Sequence, residues 1–252
     1  MVILIRKKQI FSALGFCLCL LGMGAILWHG QPDTAACAVA PAQAPRPVLV
    51  IDPGHGGEDG GAVADDGTAE SGVNLAVSLR LREILTFAGR ETVMTRDEDV
   101  MLNDEGLATM RERKVSDLKN RVRLVNETPG AVLVSIHQNA LPGMPSVHGA
   151  QVFYNGVPGG EGLAKAVQER LNQTVNTERA KVCKRIPDTI YLMKQVTVPA
   201  VLVECGFLSS PQETDRLKTT AHQTRLAVTI AAGLLAGEGG ESPALDTAQT
   251  TE

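Results

Sequence analysis

Short apolar runs alternate with stretches of helical periodicity along most of the chain. Val48-Leu49-Val50-Ile51-Asp52 is apolar at successive positions and stops at Pro53-Gly54, the pattern of a strand buried on both faces. From Val73 to Ala88 the apolar positions 73, 76, 77, 81, 84, 85 and 88 follow helical spacing, and Gly89 ends the run. Residues 91–95 predict a second short strand. Ser116 reads as the N-cap of a helix with Leu118, Val122 and Val125 on one face, closed by Pro129-Gly130. Residues 131–136 and 150–154 predict two more strands, and residues 162–175 a helix with Leu163, Ala166, Val167 and Leu171 in register. A further apolar strand covers 198–204. Pro211 then opens a short helix at its first position. The last helix places Ala227, Ile230, Ala231, Leu234 and Leu235 on one face.

Apolar strands alternating with amphipathic helices predict an α/β fold: a mostly parallel central sheet flanked by helices on both faces, in a single domain over residues 47–237. In such sheets ligands bind beyond the carboxyl ends of the strands.

The flanks differ from this body. Arg6, Lys7 and Lys8 precede an uncharged run from Ile10 to Trp28. As a helix this run would span roughly 28 Å, close to the hydrocarbon thickness of a bilayer. Basic residues ahead of it hold the N-terminus in the cytoplasm and send the rest across. Residues 1–30 therefore read as a signal or anchor segment and 31–46 as an Ala/Pro-rich linker. Ala36-x-Ala38 and Ala38-x-Ala40 offer cleavage sites, so an uncleaved anchor and a cleaved signal both fit. Either way the body is extracytoplasmic, membrane-anchored or secreted. Residues 238–252 read as a disordered tail.

Charge narrows the functional classes. Residues 45–252 carry 21 Lys+Arg against 27 Asp+Glu, a net charge of −6 without basic runs, which argues against a nucleic-acid binder. Arg179, Lys184 and Arg185 form a small cluster that reads as solvated surface. Of five cysteines only Cys183 and Cys205 lie in the body; a disulfide between them is permitted outside the cytoplasm but not indicated, and Cys205 reads as a core residue.

The polar residues of interest gather at strand ends. Asp52-Pro53-Gly54-His55-Gly56-Gly57 follows the first strand, Ser135-Ile136-His137-Gln138-Asn139-Ala140 the third, and Val203-Glu204-Cys205-Gly206-Phe207 the last. Glu70 is placed three residues before the first helix, on the loop leaving the first strand. If the strands run parallel, two histidines and two carboxylates converge on one sheet edge. Two imidazoles and one carboxylate make an open catalytic zinc site, and a further carboxylate can act as general base. Each piece has a plainer reading too. The Gly-His-Gly-Gly loop lacks phosphate-loop spacing. His137 alone could be a hydrogen-bonded structural histidine, and Glu70 alone a helix N-terminal acid. Glu204, closing the run Ala200-Val201-Leu202-Val203, must be paired, metal-bound or shifted in pKa. Asn139 either contacts substrate or forms a turn. His148 and His222 read as surface or satisfied residues.

Val-Ile-Asp-Pro-Gly-His-Gly-Gly (50–57), Glu70 ahead of Val73-Asn74-Leu75-Ala76, Ser-Ile-His-Gln-Asn-Ala (135–140) and Val-Leu-Val-Glu-Cys-Gly-Phe-Leu-Ser (201–209) resemble the zinc-dependent N-acetylmuramoyl-L-alanine amidases of the amidase-3 family. Ile190-Tyr191-Leu192-Met193-Lys194 is most similar to the spore-cortex, germination-specific branch of the CwlD type. The resemblance implies that His55, Glu70 and His137 ligate one zinc ion and that Glu204 is the general base. It implies hydrolysis of the bond between the lactyl group of N-acetylmuramic acid and L-alanine in peptidoglycan. In that branch the reaction removes stem peptides on the way to muramic-δ-lactam, in the space between the forespore membranes. Some members work with an activating lipoprotein or as dimers. Three other readings stay open: a vegetative amidase for cell separation, a zinc peptidase cutting within the stem peptide, and a non-catalytic peptidoglycan-binding module.

Overall fold

The computed structural model describes residues 46–237; the apolar segment, the linker through residue 45 and the tail from 238 lie outside the described residues. Strand β1 (Val48–Pro53) leads through a long loop to helix α1 (Glu70–Phe87), then β2 (Thr92–Met94), α2 (Met110–Glu127) and β3 (Ala131–Asn139). The chain continues through β4 (Gln151–Tyr154), α3 (Gly160–Thr174), β5 (Lys184–Arg185), α4 (Tyr191–Gln195), β6 (Ala200–Phe207), α5 (Pro211–Leu217) and α6 (Thr220–Gly237). The sheet order is β2-β1-β3-β6-β4-β5. The first four strands in that order are mutually parallel, whereas β4 pairs antiparallel with β6 and parallel with β5.

Alternation along the strands explains the two helical layers. Leu49, Ile51, Val134, Ile136, Val201 and Val203 pack with Val77, Leu81 and Leu85 of α1, Val167 and Leu171 of α3, and Ile230 and Leu234 of α6. The intervening residues Val50, Leu133, Ala200 and Leu202 face Val125 of α2 and Leu192 and Met193 of α4. Helices thus cover both faces, as the apolar strand runs predict.

Several boundaries depart from the sequence expectations, each for a local reason. Helix α1 begins at Glu70 itself, not three residues later: the Glu70 N–H bonds to Ala62 O at 2.8 Å, and an acid in the first turn suits the positive end of the helix. Helix α2 begins six residues before Ser116. Its cap is Thr109, whose hydroxyl accepts from the Glu112 N–H while the Glu112 carboxylate accepts from the Thr109 N–H. Ser116 sits inside the helix and bonds the Asp104 carboxylate at 2.8 Å. Strands β3 and β6 run on past their expected ends, so His137 and Asn139 are strand residues rather than loop residues, while Glu204 lies inside β6 as expected. Leu235 is partly exposed, and the short elements β5 and α4 fall outside the periodic signal. Cys183 and Cys205 are both free thiols.

Candidate metal centre

Two residues of the site are set by strand pairing. His137 of β3 lies opposite Glu204 of β6 in the parallel register, on the face that Leu133 and Leu202 share four and two residues earlier. Between His137 and Asn139 the register shifts: two steps on β3 match three on β6, which brings Asn139 opposite Phe207.

The other two come from the β1–α1 connection. His55 has a left-handed backbone (φ 62°), and its loop is closed by reciprocal bonds between Gly56 and Asp59 at 2.9 and 3.0 Å. Only glycine fits at two positions here. A Cβ on Gly54 would collide with the His137 ring, and one on Gly61 would lie 2.5 Å from Glu70 Oε2. Two buried arginines hold the loop's carbonyls. Arg121 donates to Pro53 O at 2.8 Å and His55 O at 2.6 Å, and Arg96 to Pro53 O, Gly54 O and Ser71 O at 3.0 Å each. Arg121 is itself paired with Asp52 (2.6 Å) and Asp117 (2.8 Å). Burial alone would raise the Asp52 pKa. The Arg121 guanidinium, with hydroxyls from Ser135 and Thr95, overrides burial and holds it at about 2.

The four side chains converge. Glu70 Oε2 lies 3.3 Å from His55 Nε2, and Glu70 Oε1 lies 2.9 Å from His137 Nδ1. The rings of His55 and His137 meet edge to face at 5.1 Å. One nitrogen from each histidine and one Glu70 oxygen all fall within 4.8 Å of one another. The donor set fits a metal ion: bonds of about 2.0–2.1 Å in a tetrahedron separate neighbouring donors by about 3.3 Å. Glu70 is further fixed by N–H donors from Ala62 and Gln138 and by the Asn74 amide. The imidazoles outweigh burial and keep its carboxyl well below the usual range. His55 responds in kind: burial opposes its charge, but Asp59 and Glu70 raise its pKa to about 9.

Glu204 is the exception among these groups. Its Oε2 is buried without a hydrogen-bond partner among the described residues. Burial, with Glu70 pushing the same way against the two histidines, lifts its pKa to about 7. A carboxyl group with its pKa lifted to about 7, beside three atoms that could hold a metal ion, is placed to exchange a proton near neutral pH.

The amidase-3 family profile, described as N-acetylmuramoyl-L-alanine amidase, matches residues 49–236. The chain belongs to the amidase-3 family of N-acetylmuramoyl-L-alanine amidases. It is 40% identical over 189 residues to the germination-specific N-acetylmuramoyl-L-alanine amidase of Bacillus subtilis, covering 75% of this chain and 78% of the relative. It is similar to the CwlD amidase from Clostridioides difficile, solved in complex with the GerS lipoprotein. That likeness has 34% identity and a TM-score of 0.74, and covers 78% of this chain and 100% of that one. The amidase AmiC2 of Nostoc punctiforme shares the fold at 29% identity and a TM-score of 0.63, with 77% and 97% covered.

Elsewhere in this amidase, Asn139 ends β3 half-buried; its carbonyl accepts from Leu208 N–H at 2.8 Å. Arg179, Lys184 and Arg185 are solvated, the last two forming β5 at the far sheet edge. His148 is exposed, with the Ser146 carbonyl at 2.9 Å from its Nδ1 and Glu178 loosely paired at 3.9 Å. The sequence reading missed Asp59, Asn74, Arg96 and Arg121. The 59 and 74 positions carried a weak signal, since both lie four residues after a candidate ligand. The arginines reach the loop from helix α2 and the end of β2, which spacing along the chain cannot reveal.

Proposed function

We propose that this chain hydrolyses the amide between the lactyl group of N-acetylmuramic acid and L-alanine, with zinc held by His55, Glu70 and His137 and Glu204 as general base. The observation that carries this reading is the orphaned, buried Oε2 of Glu204 beside the His-Glu-His cluster. Zinc at these donors supplies a Lewis acid that polarises the scissile carbonyl and acidifies the attacking water. Glu204 takes the water's proton at its free oxygen and delivers it to the departing alanine nitrogen. A cation close by favours the ionised carboxylate, so Glu204 is ready as a base at neutral pH. Asn139, at the rim of the site, contacts substrate.

The likeness to a germination-specific amidase supports action on spore-cortex peptidoglycan, extracytoplasmically, with removal of stem peptides before lactam formation. The likeness to an amidase solved with a lipoprotein supports a lipoprotein partner here as well. Residues 47–237 form the catalytic domain in this reading. Among the described residues no helix is long and apolar enough to cross a membrane; the membrane segment in this reading is the 10–28 run outside them.

The test is zinc content and product mass for the wild type and E204Q on intact peptidoglycan. The expected result is about one zinc per chain in both, peptides beginning with L-alanine from the wild type, and turnover reduced about 10²- to 10⁴-fold in E204Q. Substantial activity in E204Q would overturn the base assignment. Products cut within the stem peptide would mean a peptidase, and no turnover on spore-type or vegetative material with candidate lipoproteins added would mean a binding module.

A further inference from the structure

His55 is gripped on both ring nitrogens. Nε2 faces Glu70 at 3.3 Å, and Nδ1 meets Asp59 Oδ2 at 2.9 Å. Asp59 is itself fixed from three directions. Its backbone closes the bridge to Gly56, its Oδ1 accepts from Lys114 Nζ at 2.8 Å, and the same oxygen accepts from Gly61 N–H at 3.3 Å. Lys114 comes from α2, and its neighbour Arg113 pairs with Glu58 at 2.8 Å. Consecutive cations of one helix therefore clasp consecutive acids of the loop. His137 has no such support: among the described residues its ring bonds only to Glu70, which is inside the ligand set.

The geometry points to Asp59 as the positioning residue of the metal site, with Lys114 holding its carboxylate against the His55 ring. This rests on His55 being a zinc ligand. A neutral imidazole carries one proton and one lone pair, and a ligand at Nε2 needs the proton on Nδ1. A carboxylate 2.9 Å from Nδ1 selects that tautomer, stops the ring from turning, and makes Nε2 a stronger donor. The ammonium of Lys114 holds the other carboxylate oxygen and so opposes its swinging out to water.

The test is the zinc dissociation constant, read by competition with a chromophoric chelator, for the wild type and the variants H55A, D59A, D59N, K114M and R113M. H55A should lose tight zinc. D59A should weaken zinc about 10- to 100-fold. D59N, which still accepts from Nδ1–H but lacks the charge, should fall between D59A and the wild type, and K114M should show a smaller loss. R113M should match the wild type, because it loosens the same loop without touching Asp59. In the zinc-loaded wild type, proton NMR should show a downfield His55 Nδ1–H resonance that D59A lacks. If D59A does not fold, D59N and K114M carry the comparison. Wild-type affinity in D59N and K114M, with H55A deficient, would overturn the positioning role and leave the ligand reading standing. Equal losses in R113M and K114M would also overturn it, as loop anchoring alone. Wild-type affinity in H55A would remove the ligand reading itself.

Discussion

His137 and Glu204 sit side by side because two parallel strands are in register; His55 and Glu70 reach the same point from a long loop and a helix start. The first pair is positioned by a backbone ladder whose side chains are buried on both faces. The second depends on a left-handed histidine, close-approach glycines and the grip of Arg96 and Arg121 on carbonyl oxygens. One half of the site is therefore secured by secondary structure. The other is secured by buried charge, which is costly to assemble and costly to break.

The two halves should fail differently. R121M leaves Asp52 and Asp117 buried without their cation and releases the His55 carbonyl. It should cost about 3–5 kcal/mol in urea unfolding and weaken zinc, while amide exchange in β3 and β6 stays the slowest in the domain. Loss of protection in those strands at the same level would break the comparison.

Acid should act on the same pair. Asp52 has its pKa lowered from 3.8 to about 2, so its stabilisation is complete above about pH 4 and disappears as the pH falls through about 2. At about 1.4 kcal/mol per unit this is about 2 kcal/mol. The stability gap between the wild type and R121M should shrink over that window. A constant gap would show that Arg121 acts by packing alone.

G54A joins the halves, because the new methyl group meets the His137 ring. A cost of about 1–3 kcal/mol is expected, with weaker zinc binding, since the ring must turn or the loop must lift. Unchanged stability and unchanged zinc would mean that the two halves are not packed against each other in solution. The smallest effect belongs to T109A, which removes the cap of α2 without removing any group that touches the four site residues. It should lower stability by about 1 kcal/mol and leave zinc affinity unchanged.

The same division decides what can be read from the chain itself. Apolar runs announce β1, β3 and β6, and a strand end is where an open α/β sheet places its chemistry, so His55, His137 and Glu204 were legible. The helical start at Glu70 was not, because the apolar period begins three residues later and only the bonds to Ala62 and Gly60 carry the helix back. The Thr109–Glu112 box was present as letters, but the apolar face that usually points to it begins beyond Ser116. Arg96 and Arg121 were invisible for a different reason. Their partners lie across the fold, and an arginine bound for a buried carbonyl looks like any surface arginine until the chain is folded.

Residues 141–146, leaving β3 for β4, are exposed, and among the described residues the connection is fastened to the rest of the fold near its ends. Leu141 N–H bonds Ser209 Oγ at 3.0 Å, and Gly149 N–H bonds the buried Glu213 carboxylate, which also takes the Phe207 N–H. Between those fastenings the backbone contributes nothing to the ladder. Doubling the loop's length would cost about 0.6 kcal/mol in closure entropy. For a lineage adapting to peptidoglycans of different crosslinking, this span is cheap ground for insertion. An insertion there leaves the register that sets His137 opposite Glu204 unmoved.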